Sequence, residues 1–136
     1  MGTRGCYGFY RDGMNKLTYN HYDSYPEYLG YNVVEFIRDT SIEEMNQIFD
    51  QIVMVNEDSP ATKKQIDECL KWHDSSVSTG ALDEWYVLLR RAQGDLFAYK
   101  KGLRFMIDNS EFMEDSLSCE WAYVINLTTN TLEIYR

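Results

Sequence analysis

The opening residues alternate. Thr3, Gly5, Tyr7 and Phe9 fall on one side of an extended chain, with Arg4, Cys6, Gly8 and Tyr10 on the other. After Arg11-Asp12-Gly13 the alternation resumes with Leu17 and Tyr19. An Asp-Gly step between alternating runs is the turn chemistry of a tight hairpin, so the pattern predicts strands over 3–10 and 14–20. Glycine weakens a strand, and its recurrence at Gly2, Gly5 and Gly8 marks a bulge or a close approach by another group. The far end repeats the layout. Trp121, Tyr123, Ile125 and Leu127 alternate, Thr129-Asn130 turns, and Leu132, Ile134 and Tyr135 return, giving a second hairpin at 120–127 and 131–135.

Between the hairpins the period is helical. Leu29, Val33, Phe36 and Ile37 share a face after Pro26. Ser41 with Glu44 reads as a capping box ahead of Met45, Ile48, Phe49 and Ile52. Ser59-Pro60 predicts the next start, with Ile66, Cys69, Leu70 and His73 on one face. Leu82, Trp85, Tyr86 and Leu89 form a further stripe that Gly94 closes, with Trp85, Tyr86 and Leu89 expected in the core. A short helix is expected over 96–101 and a loop over 108–118. Two hairpins separated by helices join most simply into one four-stranded antiparallel sheet, covered by a layer of four to five helices. The expected fold class is α+β, a single domain over 1–136.

Composition narrows the class. The chain has 136 residues, 44% hydrophobic and 15% aromatic, enough to build a core without metal or disulfides. A net charge of −9 argues against a surface that tracks bulk nucleic acid. No apolar run reaches the ~20 residues of a membrane span. The first residues lack the apolar stretch of a signal peptide, so a cytoplasmic protein is expected. Cys6, Cys69 and Cys119 are odd in number and lack metal or redox spacing, and are read as free buried thiols. His21 and His73 are the two histidines, and there is no phosphate loop or dinucleotide fingerprint. No metal and no cofactor is expected.

Charge distribution points to candidate chemistry. Residues 1–26 hold Arg4, Arg11 and Lys16 against Asp12 and Asp23, a local +1. Residues 90–104 hold Arg90, Arg91, Lys100, Lys101 and Arg104 against Asp95, a local +4. The densest polar and aromatic cluster is Tyr19 to Pro26, at the end of a strand and the start of a helix, where backbone amides are free for a ligand. His21, Asp23 and Ser24 carry the letters of a hydrolytic triad, but in an extended segment Ser24 faces away from the other two. No catalytic residue is therefore assigned. Pairing through the hairpin brings Arg4 towards Asn20 and His21, a combination suited to phosphate or carboxylate. The candidate ligand site is Arg4, Tyr19, Asn20, His21, Asp23 and Tyr25, with Arg91 or Arg104 adding positive charge. The structural alternative has Asp23 or Ser24 capping a helix, the tyrosines packing, and Arg4 paired with Asp23.

Thr3-Arg4-Gly5, Tyr19 to Pro26, Leu29-Gly30 and Tyr123 to Leu127 together resemble an uncharacterised group of small phage and bacterial proteins. Members start Thr-Arg-Gly and continue with a Tyr-Asn-His-(Trp/Tyr)-Asp-Ser-Tyr-Pro signature. A fainter similarity is to N-terminal nucleophile hydrolases of the choloylglycine type, in which a terminal cysteine is the nucleophile. Gly2 supplies no such side chain here, and Cys6 is not at a terminus.

Three functional expectations follow. The first is a non-catalytic phage or prophage protein in the host cytoplasm, capturing a small phosphate-bearing or nucleotide-like metabolite and so sequestering a host immune signal. The second is an inhibitor that binds a host protein through its acidic surface. The third is a hydrolase with a degraded site of the N-terminal nucleophile type. A homo-oligomer building sites between subunits fits the first by analogy.

Overall fold

Strands form where the alternation places them. The computed structural model describes residues 3–115 and 118–136, so Gly2 and part of the expected 108–118 loop lie outside the described residues. In chain order the elements are β1 (Gly5–Arg11), β2 (Met14–Asn20), α1 (Tyr31–Arg38), α2 (Ile42–Gln51), β3 (Val53–Val55) and α3 (Lys63–Cys69). Then come α4 (Trp85–Leu88), α5 (Phe97–Lys100), β4 (Phe105–Ile107), β5 (Trp121–Asn126) and β6 (Thr131–Tyr135). The fold is α+β.

One four-stranded sheet joins the two hairpins in the order β2-β1-β5-β6. It is mixed and not purely antiparallel, because β1 and β5 run parallel, with Tyr7 opposite Tyr123 and Phe9 opposite Ile125. Alternation fixes which side chains share a face and carries no strand direction. A connection containing several helices permits a parallel crossover as readily as an antiparallel return. A second, two-stranded parallel sheet pairs β3 with β4. Three-residue strands are too short to show a period.

The alternation does sort the two faces. Tyr7, Phe9, Tyr123 and Ile125 are buried against the helices, with Phe9 edge-on to Phe36 at 6.1 Å and to Phe49 at 6.4 Å. Cys6 and Ala122 point the other way, into a smaller cluster with Cys119 that Phe112 and Met113 cover. Phe112 and Met113 sit on a 3-10 turn, Ser110–Glu114, inside the stretch expected as loop.

Helix starts follow capping more closely than proline. Ser41 accepts from the Glu44 N–H at the start of α2, which is the cap half of the expected box. α3 begins at Lys63, where Thr62 and Gln65 form a full capping box, and not at Ser59-Pro60. The stripe from Leu82 contracts to α4. Trp85 and Leu89 are buried as expected, and Tyr86 is half-exposed. His73 and Leu70, expected on an apolar face, are half-buried and exposed. Leu89→Ala should therefore cost about 2–5 kcal/mol in chemical denaturation. A near-neutral result would place that side chain outside the core.

Lys16 ties the sheet to α2. Its buried ammonium donates to the carbonyls of Phe49 (2.6 Å) and Ile52 (2.8 Å) at the C-terminus of α2, 4.4 Å from the Phe49 ring centroid. Those carbonyls have no partner within the helix, and a cation there also meets the negative end of the helix dipole. Burial holds the Lys16 ammonium below its ordinary pKa.

Candidate functional site

The Tyr19–Pro26 segment leaves β2 and enters a single π-helical turn, Pro26–Gly30, that runs into α1. Most of its polar groups are used in holding that path. Asn20 is buried, and its amide donates to the Tyr22 carbonyl (2.6 Å) and the Ser24 hydroxyl (3.0 Å). Ser24 is fully buried, its N–H donating to the Thr3 carbonyl and its carbonyl accepting from the Tyr123 hydroxyl at 2.8 Å. Burial, with the Glu27 charge adding to it, pushes the Tyr123 phenol up to about 12. The Tyr7 hydroxyl accepts from the Gly94 N–H at 2.7 Å, and burial drives its pKa upward too. The Asn20 amide hydrogens are therefore spent within the loop, while the residue also borders the open cleft beside Tyr22.

What remains divides about Tyr22. On one side the Tyr19 hydroxyl and His21 Nδ1 lie 2.8 Å apart, and the His21 N–H donates to Gln93 Oε1 at 2.7 Å. The His21 and Tyr22 rings meet edge-on at 4.3 Å, and the Arg90 guanidinium lies 5.7 Å from the Tyr22 ring centroid, within cation–π range. Burial raises the Tyr19 phenol's pKa, and the charges of Arg4 and Arg90 both oppose that rise. Neither arginine forms an ion pair among the described residues. Beneath Tyr19 lies a cavity of about 30 Å³, also reached by Tyr7, Tyr86 and Gln93, with room for about two waters.

On the other side is an open cleft of about 360 Å³ between Tyr22, Asp23, Glu27, Tyr28 and Tyr31. Asp23 adopts a left-handed conformation (φ 55°) that lets the chain turn, and its side chain is exposed. Neither Asp23 nor Glu27 pairs with a cation among the described residues. The exposures of Tyr22, Tyr25, Tyr28 and Tyr31 are 51, 46, 56 and 61%, so four aromatic rings stand out of one short segment.

The grouping seen in the structure brings Tyr19 into contact with His21 and within reach of the Arg4 charge. It does not extend to Arg104, whose guanidinium grips Glu68 bidentately at 2.7 and 2.9 Å at the far end of β4. Arg91 is exposed, and its charge bears on Asp74. Its neighbour Arg90 takes the place expected of it. Arg4 does not pair with Asp23; its backbone bonds to Glu120 through both N–H and carbonyl. Nor do the triad letters relay: His21 meets Tyr19, Ser24 meets Asn20, and Asp23 faces outward. Among the described residues no cluster of three or more His, Cys, Asp or Glu could hold a metal, and no helix is long and apolar enough to cross a membrane.

Comparison with known protein families, curated proteins and solved structures finds no match to this chain. The site must be read from its own chemistry.

Arg90, Glu27, Tyr28 and Tyr31 are the contributors that sequence reasoning missed. A signal for two of them was present. Tyr19, Tyr22, Tyr25, Tyr28 and Tyr31 recur at every third position, a repeat that marks the segment in the sequence without placing all five on one side of it.

Proposed function

We propose that the protein is a non-catalytic binding protein that seats a basic segment of a partner protein on the tyrosine strip at 22–31. The observation that carries this reading is the cleft itself, three half-exposed tyrosines and two carboxylates without a cation partner among the described residues. Tyrosine faces attract an ammonium or guanidinium, and tyrosine contributes much of the energy at protein interfaces for little conformational entropy. The net charge of −9 steers a basic partner towards the surface. With the phage origin that the resemblance implies, the partner would be a host protein and binding would inhibit it.

A short arginine-rich peptide, titrated at physiological salt where weak surface attraction is screened, tests this. Saturable binding should fall about tenfold or more in Tyr28→Ala and in Tyr31→Ala, consistent with about 2 kcal/mol for an interface anchor. Both side chains are more than half exposed, so melting temperature should hold. Equal affinity of both variants and the parent would refute the tyrosine-strip reading.

A second reading rests on Arg4 and Arg90. Two arginines without ion pairs among the described residues, near Tyr19, His21 and Tyr22, suit a phosphate-bearing ligand with a ring to stack. It predicts that a nucleoside diphosphate binds and that Arg4→Ala removes about 1.5–3 kcal/mol of that binding. The neighbouring cavity of about 30 Å³ is too small for such a ligand, so this site would be an open surface.

A further inference from the structure

Cys6 and Cys119 come together from opposite ends of the chain. Cys6 lies in β1 and Cys119 two residues before β5, yet their sulfurs are 3.8 Å apart. Both are free thiols, Cys6 fully buried and Cys119 9% exposed. Cys69, the third thiol, is the last residue of α3 and lies in a different cluster. The Cys6 and Cys119 thiols touch each other, and Phe112, Met113 and Ala122 close over them. A pair of sulfurs already in contact needs only side-chain rotation and a small local shift to reach bonding distance.

We propose that Cys6 and Cys119 are an intramolecular disulfide-forming site, closed by hydrogen peroxide and reopened by a thiol reductant. Cys119 is placed to react first, because it is the one with an accessible edge. The side-chain hydrogen bond from Cys6 favours its thiolate, while burial and the nearby Asp115 work against it. For Cys6 the same contact and its burial hold the thiol protonated. The reaction balances without any other group. The Cys119 thiolate attacks one peroxide oxygen, the O–O bond breaks, and hydroxide leaves and takes a proton as water. The Cys119 sulfur is then a sulfenic acid. The Cys6 sulfur attacks it, giving up its proton, the S–S bond forms, the S–O bond breaks, and a second water departs. Two thiols and one peroxide become one disulfide and two waters.

The bridge would fix a functional edge. Glu120, next to Cys119, accepts from the Arg4 N–H through its carboxylate and donates its own N–H to the Arg4 carbonyl. Joining Cys6 to Cys119 therefore locks the backbone that presents Arg4.

The test is peptide mapping of the reduced, folded protein after treatment with one equivalent of hydrogen peroxide. The expected product is a monomer lighter by two hydrogen atoms, with a peptide containing Cys6 linked to one containing Cys119. Alkylation under denaturing conditions should then fall from three thiols to the single thiol of Cys69. Cys69→Ser should still form the bridge, and Cys119→Ser should not. Melting temperature should rise on oxidation and return with dithiothreitol. The proposal is overturned if all three thiols still label, if Cys119 advances to sulfinic acid unbridged, or if the only disulfides link separate molecules. These three outcomes are read in the unmodified parent protein, so they stand even where a cysteine variant fails to fold.

Discussion

Gly8→Ala should detach β1 from β2 and destabilise the protein by about 3–5 kcal/mol, through backbone strain and overpacking together. Gly8 sits in the middle of β1, paired with Leu17 on one side and Val124 on the other. Its φ is +148°, and a Cβ there would lie 2.0 Å from the Lys16 carbonyl oxygen and 3.1 Å from the Leu17 Cα. The obstacle is backbone, so no rotamer change relieves it. Moving that backbone drags Lys16, whose ammonium holds the last carbonyls of α2. The sheet and the helix would thus yield together. Gly13→Ala is the control. Its φ is also positive, +87°, but nothing lies within 4 Å of the added Cβ, so only conformational strain of about 1 kcal/mol is expected. Urea titration of both variants separates crowding from strain. Equal, small losses in the two would mean that β1 bends freely at Gly8.

Alkali should unfold the protein cooperatively between about pH 10 and 12. Tyr7, Tyr99 and Tyr123 are buried, and burial raises all three phenols above their ordinary 10.0, Tyr123 to about 12. Burial also pushes the Cys69 thiol from 9.0 to about 12. A group whose folded pKa is raised supports folding fully below its unfolded pKa. That support is lost as pH rises through the folded pKa. For Tyr123, a phenol held near 12 instead of 10 is worth about 3 kcal/mol, a large share of a domain's stability, and burial of Tyr7 and Tyr99 acts in the same direction. Lys16 acts in the opposite sense. Its pKa is lowered from 10.5, so its penalty eases as pH climbs towards that value and changes nothing above it. A step in tyrosinate absorbance should coincide with loss of circular dichroism. Dichroism that persists at pH 12 while absorbance climbs smoothly counts against the buried phenols as the cause.

Much of the scaffold was legible in the sequence because it rests on local rules. The Asp12-Gly13 and Thr129-Asn130 turns, with the alternation on either side, placed all four strands of the main sheet to within two residues. The glycine excess in strand one correctly announced a close approach at Gly8. Strand direction was not legible, since period two is the same read forwards or backwards. β3 and β4 were invisible for want of length. The site was half legible. Arg4, Tyr19 and His21 share a face because the hairpin register dictates it, Gly5 standing opposite Asn20. The use of the Asn20 amide within its own loop was not legible, because residue type and position do not announce which neighbouring groups it bonds. Arg90 and Arg91 are neighbours in sequence, and only the path of the 3-10 turn at Arg90–Ala92 decides which one meets Tyr22.

The parallel contact between β1 and β5 sets an order on assembly. The first hairpin can close as soon as residues 5–20 exist, but one edge of β1 stays open until residues 121–126 have been made. A ribosome adding ~5–20 residues each second leaves that edge waiting for several seconds or more. Distant pairing also raises the contact order, and with it the loop entropy that must be overcome before the centre of the sheet forms. Folding of this chain should accordingly be slow for its size. In the interval the unpaired edge of β1 is the place where two nascent copies would join by mistake.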